Sequence, residues 1–261
     1  MSVRFRKRYA YRLQSAVARP RRSIQESSKS VRIAGPGKSG TTALWYSASV
    51  FLPWSNTEKT HTLPKEERYP TKCWAAVTPE RVDDWNSWTR TTIVSIREPI
   101  SGSISALFQN LDSHFEKRPP STAEILDYLY LNAVPRIHRY MGWLERVFEP
   151  HFRLDPHELW PERIGPAAIY QAANERFILL RQEDLFDTLL VNQLQSSLST
   201  AKFRILSSNE TAGKAEADMY KAVRAEFRLH RSDFKTIASH HHMQCFYSDK
   251  TSEIEAKWCV S

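Results

Sequence analysis

Val31-Arg32-Ile33-Ala34 runs into Gly35-Pro36-Gly37-Lys38-Ser39-Gly40-Thr41-Thr42, and a helix-compatible stretch follows from Thr41 to about Leu52. A short apolar strand, a glycine turn and a helix, in that order, open a phosphate-binding α/β unit. The glycines let the chain fold back so that several backbone N–H groups face one point. The helix N-terminus behind them adds positive potential. Ser39, Thr41 and Thr42 supply hydroxyl donors, and Lys38 supplies a mobile cation. Phosphate is the ligand such a set expects. The plain alternative is a glycine turn with a surface lysine, and the strand–loop–helix context argues against it.

A second junction of the same kind lies further on. Thr91-Thr92-Ile93-Val94-Ser95-Ile96 is rich in β-branched residues and reads as a buried strand. Ile100, Ile104, Leu107, Phe108, Leu111 and Phe115 then recur at helical spacing, so strand passes into helix at Arg97–Ser101. A Walker A loop would need a glycine five positions before Gly37, where this chain has Arg32. An NTP site would also end its second strand in a magnesium-binding Asp, where this chain has Arg97. An arginine there repels a metal and attracts a second phosphate. Arg97 leaves the strand end and Ser105 lies about two turns into the helix. Both are therefore expected to converge on an anion near that helix's first turn.

The remaining pattern extends the same architecture. Residues 57–63 read as a second short strand, and the proline-punctuated stretch 64–90 as irregular. Ser121 with Glu124 makes a capping box for a helix over Ile125–Leu131, and another helix is expected from Arg136 to Phe148. Residues 150–166 read as loop. Phe177-Ile178-Leu179-Leu180 reads as a buried strand, and Glu183-Asp184-Leu185 as the opening of a helix whose first amides the two acids satisfy. Phe203–Leu206 reads as a last strand, and a long helix with Met219, Val223 and Phe227 on one face follows. The fold class expected is α/β: a three-layer P-loop-type domain over 31–261, its mostly parallel sheet flanked by helices.

Charge is unevenly placed. Of the net +8, residues 1–32 hold +9, with ten Lys/Arg against Glu26, so the rest of the chain is close to neutral. Residues 1–30 read as a basic arm, expected to be disordered and solubilising, with a targeting role as the alternative. No specific nucleic-acid partner is expected of the domain. No run approaches the 18 or so apolar residues of a membrane span, so a soluble, cytoplasmic protein is expected. Cys73, Cys245 and Cys259 have no CxxC spacing and form an odd set, which fits a reducing compartment. His240-His241-His242 point different ways along one element, so no metal is expected.

With those motifs in place, Lys38-Ser39-Gly40-Thr41-Thr42 resembles the 5′-phosphosulfate loop of sulfotransferases, and Arg97 with Ser105 resembles that superfamily's 3′-phosphate element. More closely, the chain resembles the bacterial capsular polysaccharide synthesis family, a sulfotransferase-like group. The residues that carry this are Arg97-Glu98-Pro99-Ile100, Ser105–Asn110, Leu179–Leu185, Phe246-Tyr247-Ser248, Glu253, Ile254 and Trp258. The resemblance implies 3′-phosphoadenosine 5′-phosphosulfate (PAPS) as donor and no metal. Gly37, Lys38, Ser39, Gly40, Thr41 and Thr42 would hold its 5′ side, Arg97 and Ser105 its 3′-phosphate, and a carbohydrate or other hydroxyl-bearing acceptor would take the sulfuryl group. Lys59-Thr60-His61 resembles the segment that carries the catalytic histidine in cytosolic sulfotransferases, although here it lies closer to the phosphate loop. His61 is thus the candidate base, with Lys59 assisting and Glu66 and Glu67 as fallback bases. Lys38 would be the catalytic cation. A P-loop kinase or NTPase and a non-catalytic nucleotide- or polyanion-binding protein are the competing classes. Tyr247, Trp258 and Trp143 are expected to pack rather than bind.

Overall fold

The computed structural model describes residues 29–53, 55–60, 89–115, 119–149, 166–172, 175–206 and 216–260, and the backbone of 75–76. Strand β1 is Ser30–Ala34, followed by helix α1 (Thr41–Phe51), β2 (Asn56–Thr60), β3 (Ala75–Ala76) and β4 (Arg90–Ile96). Next come α2 (Pro99–Gln109), α3 (Leu111–His114) and α4 (Thr122–Met141). The hairpin β5 (Ala167–Ala172) and β6 (Glu175–Arg181) follows. The chain closes with α5 (Thr188–Ser197), α6 (Ala217–Glu226), α7 (Arg231–Ala238), α8 (His241–Tyr247) and α9 (Thr251–Trp258).

The sheet has the order β2-β1-β4-β6-β5-β3. Strands β2, β1, β4 and β6 are mutually parallel, with Ala34 opposite Val94 and Val94 opposite Leu179. Only β5 runs against its neighbours. The central strands are buried on both faces, which is why they read as largely apolar or β-branched runs, interrupted by Arg32 in β1 and Ser95 in β4. Alternation sends Val31, Ile33, Ile93 and Ile178 to one apolar cluster, with Leu44 and Ala48 of α1 and Leu190 and Leu194 of α5. The opposite cluster takes Ala34, Val94, Ile96, Phe177 and Leu179, with apolar residues of α2, α4 and α6–α9. Each face of the sheet thus has its own helical cover, and the domain is α/β with a mostly parallel sheet.

Several sequence expectations are corrected. One helix, α4, replaces the two expected between Ile125 and Phe148, and it runs straight through Pro135. The proline removes the donor to the carbonyl one turn back, that of strongly exposed Leu131, where water can replace it. The expected capping box is present: Ser121 Oγ accepts from Glu124 N and the Glu124 carboxylate accepts from Ser121 N. Beyond Gly142 the chain forms a π-helical turn, Leu144–Phe148. Residues 203–206 are not a strand: the Leu206 N–H donates to Ser47 Oγ at 2.8 Å and Phe203 packs on Phe51, so this segment covers α1 instead of extending the sheet. The helix after β6 begins at Thr188 and is capped by Asp187, which accepts from Leu189 N and Leu190 N. Strands β5 and β3 were not expected, and α6 is ten residues rather than a long helix. Trp143, Tyr247 and Trp258 are buried, as expected.

Gly102 marks the closest approach of α2 to α4. A Cβ there would lie 2.4 Å from Tyr140 Cζ. Gly102→Ala should therefore push the Tyr140 ring aside and destabilise the fold by about 1–3 kcal/mol, the usual cost of overpacking. Urea unfolding of the two proteins measures this, and an unchanged midpoint would show that the helices separate freely.

Candidate anion-binding site

β1 and β4 are neighbours and parallel, yet their helices leave in opposite directions: α1 joins one apolar cluster and α2 the other. That divergence makes the carboxyl ends of the two strands a topological switch point, the crevice where open α/β sheets bind ligands. The loop 35–40 and Arg97 stand on its two sides.

The loop is held in a shape its residues do not adopt unaided. Gly40 has φ +80°, and a Cβ on it would sit 2.7 Å from Leu185 Cδ1, so only glycine fits there. Lys38 also has positive φ, 70°, a conformation that costs a non-glycine residue about 1–2 kcal/mol. Neighbours over-determine it. Ser39 Oγ donates to Pro36 O at 2.8 Å, Ser95 Oγ of β4 donates to Ser39 O, and Tyr140 OH donates to Gly37 O at 3.3 Å. Arg97 Nη1 donates to Lys38 O at 3.0 Å, which ties the two sides of the crevice together. No side chain caps α1, whose N-cap is Gly40. Its first-turn amides at Thr41 and Thr42, which like those of any helix start have no i−4 acceptor, are left without a side-chain cap. Lys59, at the end of β2, adds a cation: its Nζ donates to Thr42 Oγ1 at 3.1 Å and lies 5.8 Å from the Trp45 ring centroid.

The second junction is built differently. Glu98 is the N-cap of α2, and its buried carboxylate accepts from Ile100 N, Ser101 N, Ser101 Oγ and Trp258 Nε1. An external anion at the first turn of α2, as the sequence suggested, is thereby corrected: the protein supplies its own carboxylate there. What remains for a ligand is Arg97 itself, which spends one donor on Lys38 O and has no ion pair among the described residues. Ser105 is half-buried on the second turn of α2 and makes no hydrogen bond among the described residues. Its stripe is informative. Gly102, Ser105 and Gln109 fall at i, i+3 and i+7, one face of the helix. Gly102 adjoins Tyr140, which donates to Gly37 O, and Gln109 Oε1 approaches Gly37. Ser105 thus sits on the face that α2 turns toward the loop.

On the far side of Arg97 a cleft of about 280 Å³ separates the β4 and β6 exits from α6 and the C-terminal helices. Glu183 lines it. Contrary to expectation, its carboxylate does not serve the helix after β6: Oε1 accepts from Glu98 N at 2.8 Å and Oε2 from Tyr247 OH at 3.1 Å. Asp184 instead pairs with Arg181 and Lys250. Burial pushes the Glu183 carboxyl above the usual carboxylate range, only partly offset by its backbone donors and by Arg97. Burial likewise raises the Tyr140 phenol, which therefore stays neutral as a donor to the loop.

Of the residues singled out in the sequence, Gly37, Lys38, Ser39, Gly40, Thr41, Thr42 and Arg97 are brought together, with Ser105 on the adjoining helix face. His61, Glu66 and Glu67 lie outside the described residues, as do Cys73 and residues 1–28. No cluster of three or more His, Cys, Asp or Glu that could hold a metal occurs among the described residues. No helix among them is long and apolar enough to cross a membrane. Comparison with family models, curated proteins and solved structures gives no match. Sequence reasoning missed Tyr140, which reads only as one more position in a long helix, and Arg224, considered below, which carries no motif.

The raised Glu183 carboxyl has a pH signature. Folding increases its proton affinity, so the native state holds the proton over a window in which the unfolded chain has lost it. Stability therefore falls as pH rises through that window, from the ordinary carboxylate range upward. Glu183→Gln should flatten this fall, measured by urea unfolding from about pH 4 to pH 7. An identical slope in both proteins would remove Glu183 as its source.

Proposed function

We propose that this domain belongs to the P-loop-type α/β class and binds a ribonucleotide carrying anionic groups on both its 5′ and 3′ sides. Within that class, the reading best supported is a PAPS-dependent sulfotransferase acting on a hydroxyl or amine acceptor. The observation that carries it is the pairing, across one crevice, of an uncapped helix N-terminus behind a strained glycine loop with an arginine that has donors to spare. Two anion cradles side by side suit a 3′,5′-bisphosphorylated ligand better than a metal–triphosphate. A Walker A loop fits poorly, because the position of its first glycine, Arg32, is mid-strand in β1 and buried. The cation at the β4 exit also stands where an NTPase needs a carboxylate.

In this mechanism the acceptor oxygen attacks sulfur in line as the bond from sulfur to the 5′-phosphate oxygen breaks. The leaving group is 3′-phosphoadenosine 5′-phosphate, and charge builds on its bridging oxygen. Lys38, the first-turn amides of α1 and the Thr41 and Thr42 hydroxyls lie where that charge develops, with Lys59 beside Thr42. The acceptor proton passes to a base, for which His61 is the candidate one residue beyond β2. The acceptor class, a carbohydrate, rests on the resemblance of the chain to capsular polysaccharide sulfotransferase-like proteins.

Calorimetry with 3′-phosphoadenosine 5′-phosphate tests the site. Wild type should bind, and Arg97→Ala should lose on the order of 2–4 kcal/mol, the cost of a forked charged contact. Undiminished affinity would take Arg97 out of the site. Transfer from sulfur-labelled PAPS to an oligosaccharide panel tests the chemistry. Lys38→Ala should cut transfer by about a hundredfold or more while binding weakens far less. Tight nucleotide binding with no transfer to any acceptor would make the protein a binder rather than an enzyme.

A further inference from the structure

The cleft beyond Arg97 has a feature that the loop and the nucleotide reading leave unused. Arg224, from α6, lines the same cleft as Arg97, although 127 positions separate them in the chain. Its guanidinium carbon lies 5.6 Å from the Tyr220 ring centroid and 6.0 Å from that of Trp258. It has no ion pair or hydrogen bond among the described residues, and its Nε is buried with no acceptor. A buried donor without an acceptor is costly, and a guanidinium's planar fork is pre-organised, so it loses less freedom per hydrogen bond formed on binding.

The other charges of the cleft are already engaged. Glu98 caps α2, and Glu183 holds Glu98 N and Tyr247 OH. Lys250 pairs with Asp184, and Lys257 lies near Ser101 and the Glu98 carboxylate. Glu253 is exposed at the rim. Two arginines therefore face one cleft with forked donors to spare and no acid assigned to either. Among the described donors that line the cleft, Arg224 Nε is the one buried without an acceptor.

We propose that Arg224 is the second guanidinium of the anion site that Arg97 opens, and that the cleft between them takes a phosphate monoester dianion. The proposal rests on the reading of Arg97 as an anion ligand. Under the nucleotide reading the dianion is the 3′-phosphate, and Arg224 then sets the preference for a 3′-phosphorylated nucleotide over one bearing only a 5′-phosphate. A planar fork on each side of a tetrahedral dianion gives four or so charge-assisted bonds, enough to discriminate strongly against a bare hydroxyl.

Isothermal titration of the full chain with 3′-phosphoadenosine 5′-phosphate, with AMP and with inorganic phosphate tests this, using wild type, Arg224→Gln, Arg224→Lys and, as a control on the exposed side of α6, Lys221→Gln. Thermal melting of each variant reports folding. Wild type and the control should prefer the bisphosphate to AMP by about tenfold to a hundredfold. Arg224→Gln should erase most of that preference while binding AMP as before, and Arg224→Lys should restore only part of it, because a point charge lacks the fork. A full preference in well-folded Arg224→Gln would overturn the proposal and leave the nucleotide reading standing. Binding of inorganic phosphate that depends on Arg224, without nucleotide binding, would uphold the cleft and overturn the nucleotide reading. No binding of any of the three ligands to wild type would overturn both.

Discussion

A buried carboxylate must have its hydrogen bonds supplied from somewhere, and Glu98 draws them from four places at once. Its oxygens take the first amides and a hydroxyl of α2 and the indole N–H of Trp258, while its own N–H is taken by Glu183. These bonds fix the direction in which α2 leaves β4, the height at which α9 docks and the separation of the β4 and β6 exits. Arg97 is the residue immediately before this hub. Its side chain is therefore delivered to the loop by a backbone that has almost no freedom to wander, and the 3.0 Å contact to Lys38 O follows from that placement. Losing one donor to Glu98 would leave a buried charge short of a partner, an effect larger than the bond itself.

The two strand–helix junctions look alike in sequence and are electrostatic opposites in structure. At α1 a glycine stands at the N-cap and the positive end of the helix is left open. At α2 a glutamate occupies the equivalent place and the positive end is filled. The proposed external anion would therefore be favoured at one helix and not at the other, and a second cradle would have to be made from guanidinium groups instead. Under the proposed nucleotide reading, this division of labour would keep a ligand with two anionic ends in a single orientation, because the two cradles differ in chemistry: amides, hydroxyls and lysine on one side, arginine on the other.

Periodicity carried much of the fold. Runs such as Val31–Ala34 and Thr91–Ile96 announce central strands because strands buried on both faces have no polar alternation to disguise them. Gly35–Thr42 announced the loop because positive φ and close approach leave a compositional trace. The failures have equally local causes. Ala167–Ala172 pairs on both sides yet carries no strong β signature in sequence. Pro135 reads as a helix boundary, yet its missing hydrogen bond falls on the side of exposed Leu131. Phe203–Leu206 has strand composition but gives its backbone donor to Ser47. Within the site, residues adjacent in sequence were legible and those brought in from afar were not. Tyr140 and Arg224 reach it from helices whose spacing advertises only packing.

The segments that carried the family resemblance prove to be largely one physical unit. Arg97-Glu98, Arg181–Asp184, Tyr247 and Trp258 touch one another through the Glu98–Glu183 bond, the Tyr247–Glu183 bond, the Trp258–Glu98 bond and the fork from Arg181 to Asp184 and Asp249. Motifs that seem scattered over some 160 positions are one polar clamp joining two strand exits to the C-terminal helices. Such a clamp places charges in a water-poor setting, where each group is costly unless every partner is present. A sequence that kept only the fold could replace it with apolar packing at no loss of stability. Under the proposed reading, an anionic ligand that needs the guanidinium groups beside the clamp held still accounts for polar groups here in place of apolar packing.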